Sequence, residues 1–552
     1  MQSDSHEVGT DFVRSLVKEI IIPETGFFKV AIAYGIAISL LTLAVPIAVQ
    51  MLINSVVNTA SVSAVVTLAT LLFATLSLSG LFSALRTHIM ERYERHIYAR
   101  LTAEISVRTL MADNAYFEGR RNVDITNRFF DIGTFQKNIP PLVIDGFALC
   151  LQTLVGTALV SFYHPVFFVF SLIFILTLVC IWLIWGNGAV RTAVQLSRAK
   201  YTTAKWLGDL SAAHTFFKSS QQIRYAGERT NSTARDYVAA HQSHFHYTFR
   251  QTIALLLLYA LASSALLGIG GVLVIRGELS IGQLVAAELI LTTIFFGLSQ
   301  ASSYLKVFYE LCGAAEELSQ VLSLPLEKQL NGKRHLDSAS STLEFHQAEL
   351  DIGYGKLHMH NTVASGIKCF VVTRHPWLQR AIIKLLKSDM EPQRGWIKLG
   401  GRDLRDLNVQ TLRQAVAVID RSLIIECSLQ YFLTMSAPGC EVSDMESALA
   451  TVGLSEAVER LPKGLGTLMS PLGAPFLPHE FLLLKLAAAL LSQPKVVILT
   501  QYFDNMPLDD LKTLLERLEK QAFTVLYFSN HPDISVFDYC LCLDWQLQLG
   551  NA

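Results

Sequence analysis

The sequence predicts a multi-domain membrane protein, in which an α-helical six-span transmembrane bundle with long cytoplasmic hairpins precedes a C-terminal α/β domain. The chain is 51% hydrophobic and only 16% charged, whereas soluble proteins average about 25% charged residues. Six apolar runs between residues 30 and 299 are each near the length that crosses about 30 Å of hydrocarbon. After residue 341, short strand-like runs alternate with helical patterns, which is typical of an α/β domain.

Residues 1–27 form a polar to amphipathic lead-in, without the apolar core of a cleavable signal peptide. Phe12, Leu16, Ile20 and Ile21 recur at helical spacing. This pattern predicts either a helix lying on the membrane surface or an ordinary packed N-terminal helix.

Charge and cysteine content argue against two classes of function. The formal net charge is −1, so the chain lacks the positive charge by which nucleic-acid-binding proteins neutralise phosphates, and we expect no nucleic-acid partner. None of the eight cysteines forms a Cys-x-x-Cys pair, so we predict no zinc site.

The six spans are joined alternately by tight turns and by long polar stretches. The stretches 86–141 and 187–250 each contain nine Lys or Arg residues, whereas the three tight turns contain only Arg276. The positive-inside rule therefore places both stretches and both termini in the cytoplasm of a multi-pass protein. Few helix breakers interrupt these stretches, so we predict helical hairpins with tips at 115–119 and 219–226. The predicted spans are 30–53, 62–85, 142–162, 166–185, 252–275 and 281–299.

Polar residues and one proline interrupt the apolar pattern of the spans. Glu288 lies inside the sixth span, and it is either part of a substrate path or, as we favour, the partner of an interhelical hydrogen bond. Pro46 predicts a kink in the first span. His241, His244 and His246 do not share one helical face, which favours interfacial polar residues over a metal site.

The predicted domains are a lead-in (1–27), a transmembrane domain (28–324), a linker (325–341) and the α/β domain (342–552). The last membrane helix continues through Leu318, and the linker is rich in Lys, Asn, Gly and Ser. The predicted strands are 342–345, 369–372, 396–399, 415–419, 496–499, 524–528 and 539–543.

Residues 366–386 predict a buried strand (369–372), a turn (373–380) and an apolar helix (381–386). This is the frame of a phosphate-binding loop. Such a loop needs glycines, whose backbone N–H groups surround phosphates, a lysine for phosphate charge, and a hydroxyl for Mg²⁺. The turn contains no glycine and no Gly-Lys-Ser/Thr, so the frame is present without its chemistry.

Several segments together resemble an ABC exporter half-transporter of the bacterial peptide and protein export type. Residues 277–284 (GELSIGQL) resemble the turn between that family's last two spans, and residues 391–404 (EPQRGWIKLGGRDL) resemble a segment of its nucleotide-binding domain. Leu412-Arg413, 461–465 and 486–495 resemble runs beside its Q-loop and signature motif. The resemblance covers nearly the whole chain and implies a P-loop-NTPase-like α/β domain in a bacterial inner membrane protein.

At the positions of the family's catalytic residues, this sequence contains other residue types. Aligned from Gly366, the P-loop lysine falls on Gln379 and the Mg²⁺-binding hydroxyl on Arg380. The Q-loop glutamine falls on Arg421, and the Walker B carboxylates fall on Thr500 and Gln501. The signature motif falls on residues 476–480 (FLPHE), and only the switch histidine is retained, as His531.

These substitutions predict that the chain does not hydrolyse ATP. Arg374 and Arg380 are the candidates for weak phosphate attraction, so loose ATP binding stays open, but Mg²⁺ is not expected. The family's nucleotide sites form between two domains, which implies a homo- or heterodimer with another ABC exporter half. A heterodimer is favoured, although this chain has lost both sets of motifs. A membrane-fusion protein is a further implied partner, besides the lipid bilayer.

Three functional hypotheses follow. The first is a transport subunit that does not hydrolyse ATP itself and that moves peptide or protein cargo together with an active ABC partner. The second is a non-transporting pseudo-ATPase that serves as a membrane scaffold or regulator of an export system, with Arg374, Trp377 and Arg421 on a protein-binding surface. The third, which we favour least, is an active ATPase with a diverged mechanism.

Overall fold

The chain divides into two compact units, Met1–Leu326 and Glu327–Ala552, in the computed structural model. The structure describes residues 22, 25–58, 62–117, 123–327, 340–351, 355–530, 537, 539–543 and 547–549. Most of the predicted lead-in, most of the predicted linker and His531 lie outside these described residues.

The first unit consists of helices and short connections where it is described, with one isolated β-bridge between Ala112 and Leu326. Five of its helical segments are long and apolar enough to cross a membrane, and the sixth predicted span begins a helix whose described apolar run is Ile281–Ile294. The helices are α1 (Thr25–Thr42), α2 (Ala44–Asn58), α3 (Val62–Leu110), α4 (Asn114–Phe117), α5 (Val123–Pro140), α6 (Gly146–Tyr163), α7 (Pro165–Ala212), α8 (Ser220–Ile275) and α9 (Ile281–Leu322).

The first predicted span is interrupted at Leu43, between α1 and α2. Pro46 lies in the first turn of α2. Its ring lacks an N–H group and clashes with the carbonyl four residues earlier, which belongs to Thr42. The kink predicted from Pro46 is therefore observed as a helix break just before it.

The long polar stretches continue the membrane helices, as predicted. Helices α7 and α8 contain 48 and 56 residues, and at 1.5 Å per residue they extend well beyond the thickness of a bilayer. The predicted second tip, 219–226, is wrong. Ser219 caps α8 by accepting a hydrogen bond from the Gln222 N–H group, so the helix begins at Ser220 and the bend lies just before it, around Phe216–Lys218.

Glu288 makes the interhelical contact that the sequence favoured. The Ser263 hydroxyl on α8 donates a hydrogen bond of 2.7 Å to the Glu288 carboxylate on α9. In the described part of the chain, no group of three His, Cys, Asp or Glu residues is arranged to hold a metal ion.

The second unit contains a parallel sheet, an antiparallel sheet and a set of helices. Its elements are β1 (Leu343–Asp351), β2 (Gly355–Val363), β3 (Lys368–Val372), α10 (Pro376–Leu386), β4 (Arg394–Leu399), β5 (Arg402–Asp403), α11 (Val409–Ala415), β6 (Val416–Ile419), β7 (Cys427–Ser428), α12 (Leu429–Ser436), α13 (Val442–Val452), α14 (Ser455–Glu459), β8 (Leu468–Met469), α15 (Pro478–Leu491), β9 (Val496–Leu499), α16 (Leu508–Glu519), β10 (Thr524–Ser529), β11 (Tyr539–Cys542) and β12 (Leu547–Leu549).

The parallel sheet has the strand order β11-β3-β10-β9-β6, and the antiparallel sheet has the order β12-β2-β1-β4-β5. Helix α10 buries Leu378, Ala381, Ile382 and Leu385 in the core that the two sheets share. Helices α15 and α16 pack in a second core that includes residues of β9 and β10. The carboxyl ends of β3, β9 and β10 therefore lie side by side and define the edge described next.

Candidate functional site

The loop after β3 is much shorter than the sequence predicted. Helix α10 begins at Pro376, so only Thr373, Arg374 and His375 separate it from the strand. The predicted turn 373–380 is therefore wrong. Proline suits the first turn of a helix because its fixed φ is already helical, and it holds the preceding residue extended. His375 has this conformation, with φ −113° and ψ 98°.

The loop satisfies its own backbone instead of presenting it outwards. Thr373 is buried, and its hydroxyl accepts a 3.0 Å hydrogen bond from the His375 N–H group. Pro376 has no N–H group to offer. A phosphate-binding loop directs successive N–H groups at its ligand, and at these two positions no such group is available.

Two of the predicted site residues meet directly. The backbone N–H of Gln501, just after β9, donates to the Gln379 side-chain oxygen on α10 at 3.4 Å. The Gln501 side-chain amide donates to the Asn530 side-chain oxygen at 3.2 Å. Two neutral amides thus connect the end of β9 with α10 and with the end of β10.

The other predicted site residues lie around this contact. The Thr500 hydroxyl is buried and donates to the Ile419 carbonyl at 2.7 Å. The guanidinium carbon of Arg421 lies 5.6 Å from the centre of the Tyr502 ring, a cation–π distance. Arg374 and Arg380 are exposed, before and within the first turns of α10.

The sequence did not single out the carboxylate at this edge, which is Asp504. The Tyr527 hydroxyl donates to one Asp504 oxygen, and the Asn530 N–H donates to the other at 2.9 Å. Burial raises the pKa of the Tyr527 phenol, and the neighbouring Asp504 raises it further. The only signal in the sequence is a single acidic residue in the segment QYFDN, which does not reveal its partners.

The segment aligned with the signature motif is the start of helix α15. Pro478 is its first residue, and the Glu480 carboxylate accepts a 2.8 Å hydrogen bond from the Leu477 N–H group. Glu480 therefore caps this helix by satisfying one of its free backbone donors.

Lys485, one helical turn or so further along, is a second residue that the sequence reasoning missed. Its ammonium group donates to the Asp420 carbonyl and the Ser422 hydroxyl, each at 3.0 Å. Burial lowers the pKa of Lys485, and Asp420 partly offsets this effect. Lys485 thus fastens the loop after β6, which carries Arg421, to α15. The signal was a lysine inside the apolar run FLLLKLAAALL.

Comparison with known proteins supports the architecture. Residues 29–202 match the family described as the ABC transporter transmembrane region. The chain is 21% identical over 460 residues to the leukotoxin translocation ATP-binding protein LktB of Mannheimia glucosida, and equally to LktB of Mannheimia haemolytica. These alignments cover 81% of this chain and 64% of each relative. The chain therefore spans slightly less than two thirds of the length of these relatives.

A solved structure of a bacterial Atm1-family ABC exporter with ATP bound superposes with a TM-score of 0.81. The match covers 94% of both chains at 17% sequence identity. The chain has the fold of an ABC exporter.

The residues that the sequence alignment places at the Mg²⁺-binding positions of the ABC exporter family do not suit Mg²⁺. Mg²⁺ prefers carboxylate and water oxygens in near-octahedral geometry. Arg380, Thr500 and Gln501 supply no carboxylate, and the Thr500 hydroxyl is already bonded to Ile419.

Proposed function

We propose that this chain is the membrane subunit of an ABC-type exporter, that its own nucleotide-binding domain does not hydrolyse ATP, and that it acts with an active ABC partner. The observation that carries the proposal is the direct contact between Gln379 and Gln501. These residues occupy the aligned positions of the P-loop lysine and a Walker B carboxylate, and their hydrogen bond joins the two elements between which a nucleotide would be held.

The physical argument rests on charge. Catalysis of phosphoryl transfer consists almost entirely of positioning and electrostatic stabilisation. A single preorganised donor is typically worth about 2.7–4 kcal/mol of transition-state stabilisation. Replacing a cation and carboxylates by neutral side chains removes several such contributions together, which supports a pseudo-ATPase.

The length of the membrane helices is evidence for a role in transport. Two of them continue far beyond their predicted spans, which suits a protein that couples movements in the membrane to movements in the cytoplasm. The curated relatives are named for leukotoxin translocation, which supports peptide or protein cargo. The proposed location is the bacterial inner membrane with both termini cytoplasmic, in a heterodimer with another ABC exporter half and in contact with a membrane-fusion protein.

The first test is nucleotide turnover by the pure chain in lipid nanodiscs. We expect no Mg²⁺-dependent ATP hydrolysis above background, and the same background for Gln501→Ala and for a matched surface variant, Gln430→Ala on α12. Hydrolysis that Gln501→Ala abolishes and Gln430→Ala leaves intact would contradict the proposal, because it would assign turnover to this site.

The second test is the partner. Purification of the tagged full chain from its native membrane is expected to recover a second ABC subunit with intact P-loop and Walker B motifs. A stable homodimer without such a subunit would instead favour the scaffold or regulator. That alternative is supported by the exposed side chains of Arg374 and Arg421 and by the half-buried, stacked rings of His375 and Trp377.

A further inference from the structure

The helical unit contains a cavity of about 260 Å³, lined by both polar and apolar groups, that the proposed function does not use. Helices α5, α7, α8 and α9 all contribute to its lining. At 1.5 Å per residue, all the lining residues lie between about 12 and 22 Å beyond the end of the predicted membrane span of their helix. The cavity therefore belongs to the part of the bundle outside the hydrocarbon, where a water-soluble ligand could reach it.

The deepest charged group in the cavity is an acid. Asp131 is only 2% exposed, and burying a carboxylate is costly unless a cation compensates its charge. One cation that faces it is Lys200, whose side chain is 52% exposed. Their closest atoms are 3.4 Å apart, whereas a well-formed ammonium–carboxylate hydrogen bond measures about 2.7–2.9 Å. The ion pair with Lys200 is thus long, and the lysine lies at the rim of the cavity.

A second buried polar group lines the same cavity. Ser197 is 8% exposed, and within the described residues its hydroxyl has no hydrogen-bond partner. A buried hydroxyl without a partner costs free energy, so this group favours a ligand that can donate to it. Gly313 lies against Ser197, and an added Cβ would lie 3.1 Å from the Ser197 Cβ and 3.3 Å from the Ala193 carbonyl oxygen. The missing side chain at Gly313 therefore lets α9 pack closely against α7 beside the cavity.

The remaining lining suits a cation as well. Tyr309 and Tyr237 contribute aromatic rings, which attract ammonium groups through their faces. Glu310, half-exposed, adds a second negative charge, although it also lies 4.0 Å from Lys306. The cavity therefore combines one buried acid, one acceptor hydroxyl and aromatic walls, with its single lysine at the rim.

We propose that this cavity binds a small organic ammonium ion, and that the Lys200 side chain is a tethered competitor for the same carboxylate. The ligand's ammonium group donates to Asp131 and Ser197, and its carbon chain lies against the tyrosines. The proposal does not depend on the nucleotide domain or on transport, because it concerns binding to one protomer.

The test uses three probes of similar size and different charge. Butylammonium, butyrate and butanol are titrated into the full chain in lipid nanodiscs, with binding followed by saturation-transfer NMR. We expect saturable binding of butylammonium alone, with a dissociation constant on the order of millimolar for so few atoms. Tighter binding of butyrate, or no saturable binding of butylammonium, overturns the proposal.

Two variants separate the roles of acid and lysine. Asp131→Asn is expected to weaken butylammonium binding by about tenfold or more, and Lys200→Met is expected to tighten it by about threefold or more, because the internal competitor is removed. The matched control is Lys218→Met, which removes the same charge at the exposed bend before α8 and leaves binding unchanged.

The direction in which Lys200→Met changes the affinity for butylammonium decides the test. If Lys200→Met weakens butylammonium binding or leaves it unchanged, Lys200 is not a competitor and the proposal fails. This variant changes a half-exposed side chain, so the test holds even if Asp131→Asn does not fold. If Asp131→Asn folds and binds butylammonium as the parent does, the site assignment is wrong.

Discussion

Lys368 shows how a single buried charge can organise the α/β unit. It is 7% exposed, and its ammonium group donates to the carbonyls of Gly366, Gln521 and Phe523, each at 2.7 Å. These bonds tie the start of β3 to the segment before β10. Burial lowers the pKa of this lysine, and Glu519 partly offsets this effect. The three hydrogen bonds to carbonyls compensate the free-energy cost of burying the ammonium group.

Replacing Lys368 by Met should destabilise the α/β unit by about 2–4 kcal/mol, because buried carbonyls lose their donors. We expect its melting temperature in nanodiscs to fall by roughly 5–10 °C. Lys512→Met is the control, since Lys512 is exposed on α16 and should change the melting temperature by no more than about 2 °C. Equal effects of the two substitutions would contradict this account.

At the scale of elements, the pairing of β1 with β4 depends on one glycine. Gly395 has φ +76°, a conformation that favours glycine. A Cβ there would lie 2.2 Å from the Gln347 carbonyl oxygen and 2.3 Å from that of His346. Both oxygens belong to the backbone of β1, at the irregular step in its register, so they cannot move without breaking the pairing.

Gly395→Ala should therefore cost more than backbone strain alone. Gly401 is a matched control because its φ of +79° is similar, but nothing lies within 4 Å of its added Cβ. We expect Gly401→Ala to cost about 1 kcal/mol and Gly395→Ala roughly 3 kcal/mol or more. Hydrogen exchange should show lost protection in 343–351 and 394–399 for Gly395→Ala only. Similar exchange in both variants would mean that contact with β1 is not the cause.

The elements also show where sequence reasoning succeeds. β9 has the predicted bounds, Val496–Leu499, because a strand buried on both faces is a continuous apolar run. β2 was not predicted, since its exposed positions include Lys356 and His360 and its apolar positions are only alternate. Strands of a half-exposed antiparallel sheet give this weaker signal.

At the scale of the whole molecule, the two units have separate hydrophobic cores. The clusters of the helical unit contain no residue beyond Leu324, and those of the α/β unit begin at Leu343, among the described residues. Each unit thus buries its own apolar surface, which is the condition for independent unfolding.

We therefore expect two transitions when the full chain in nanodiscs is heated in a calorimeter. Lys368→Met should lower one transition only, and Gly156→Leu, which places a side chain against Ile290 and Ile294 in the helical unit, should change the other only. A single cooperative transition that both substitutions shift equally would show that the units unfold together.

The sequence by itself determined the membrane half and the α/β half, and it predicts the loss of charged groups at the aligned nucleotide positions. Apolar length and the identity of residues such as Gln379, Thr500 and Gln501 are local properties that can be read without a fold. Which of these residues meet was decided by tertiary structure. Gln379 and Gln501 are far apart in the chain, and they meet only because β3, β10 and β9 are neighbours in one parallel sheet. The same reason explains Asp131, Ser197 and Lys200, which become a cavity only when four helices pack.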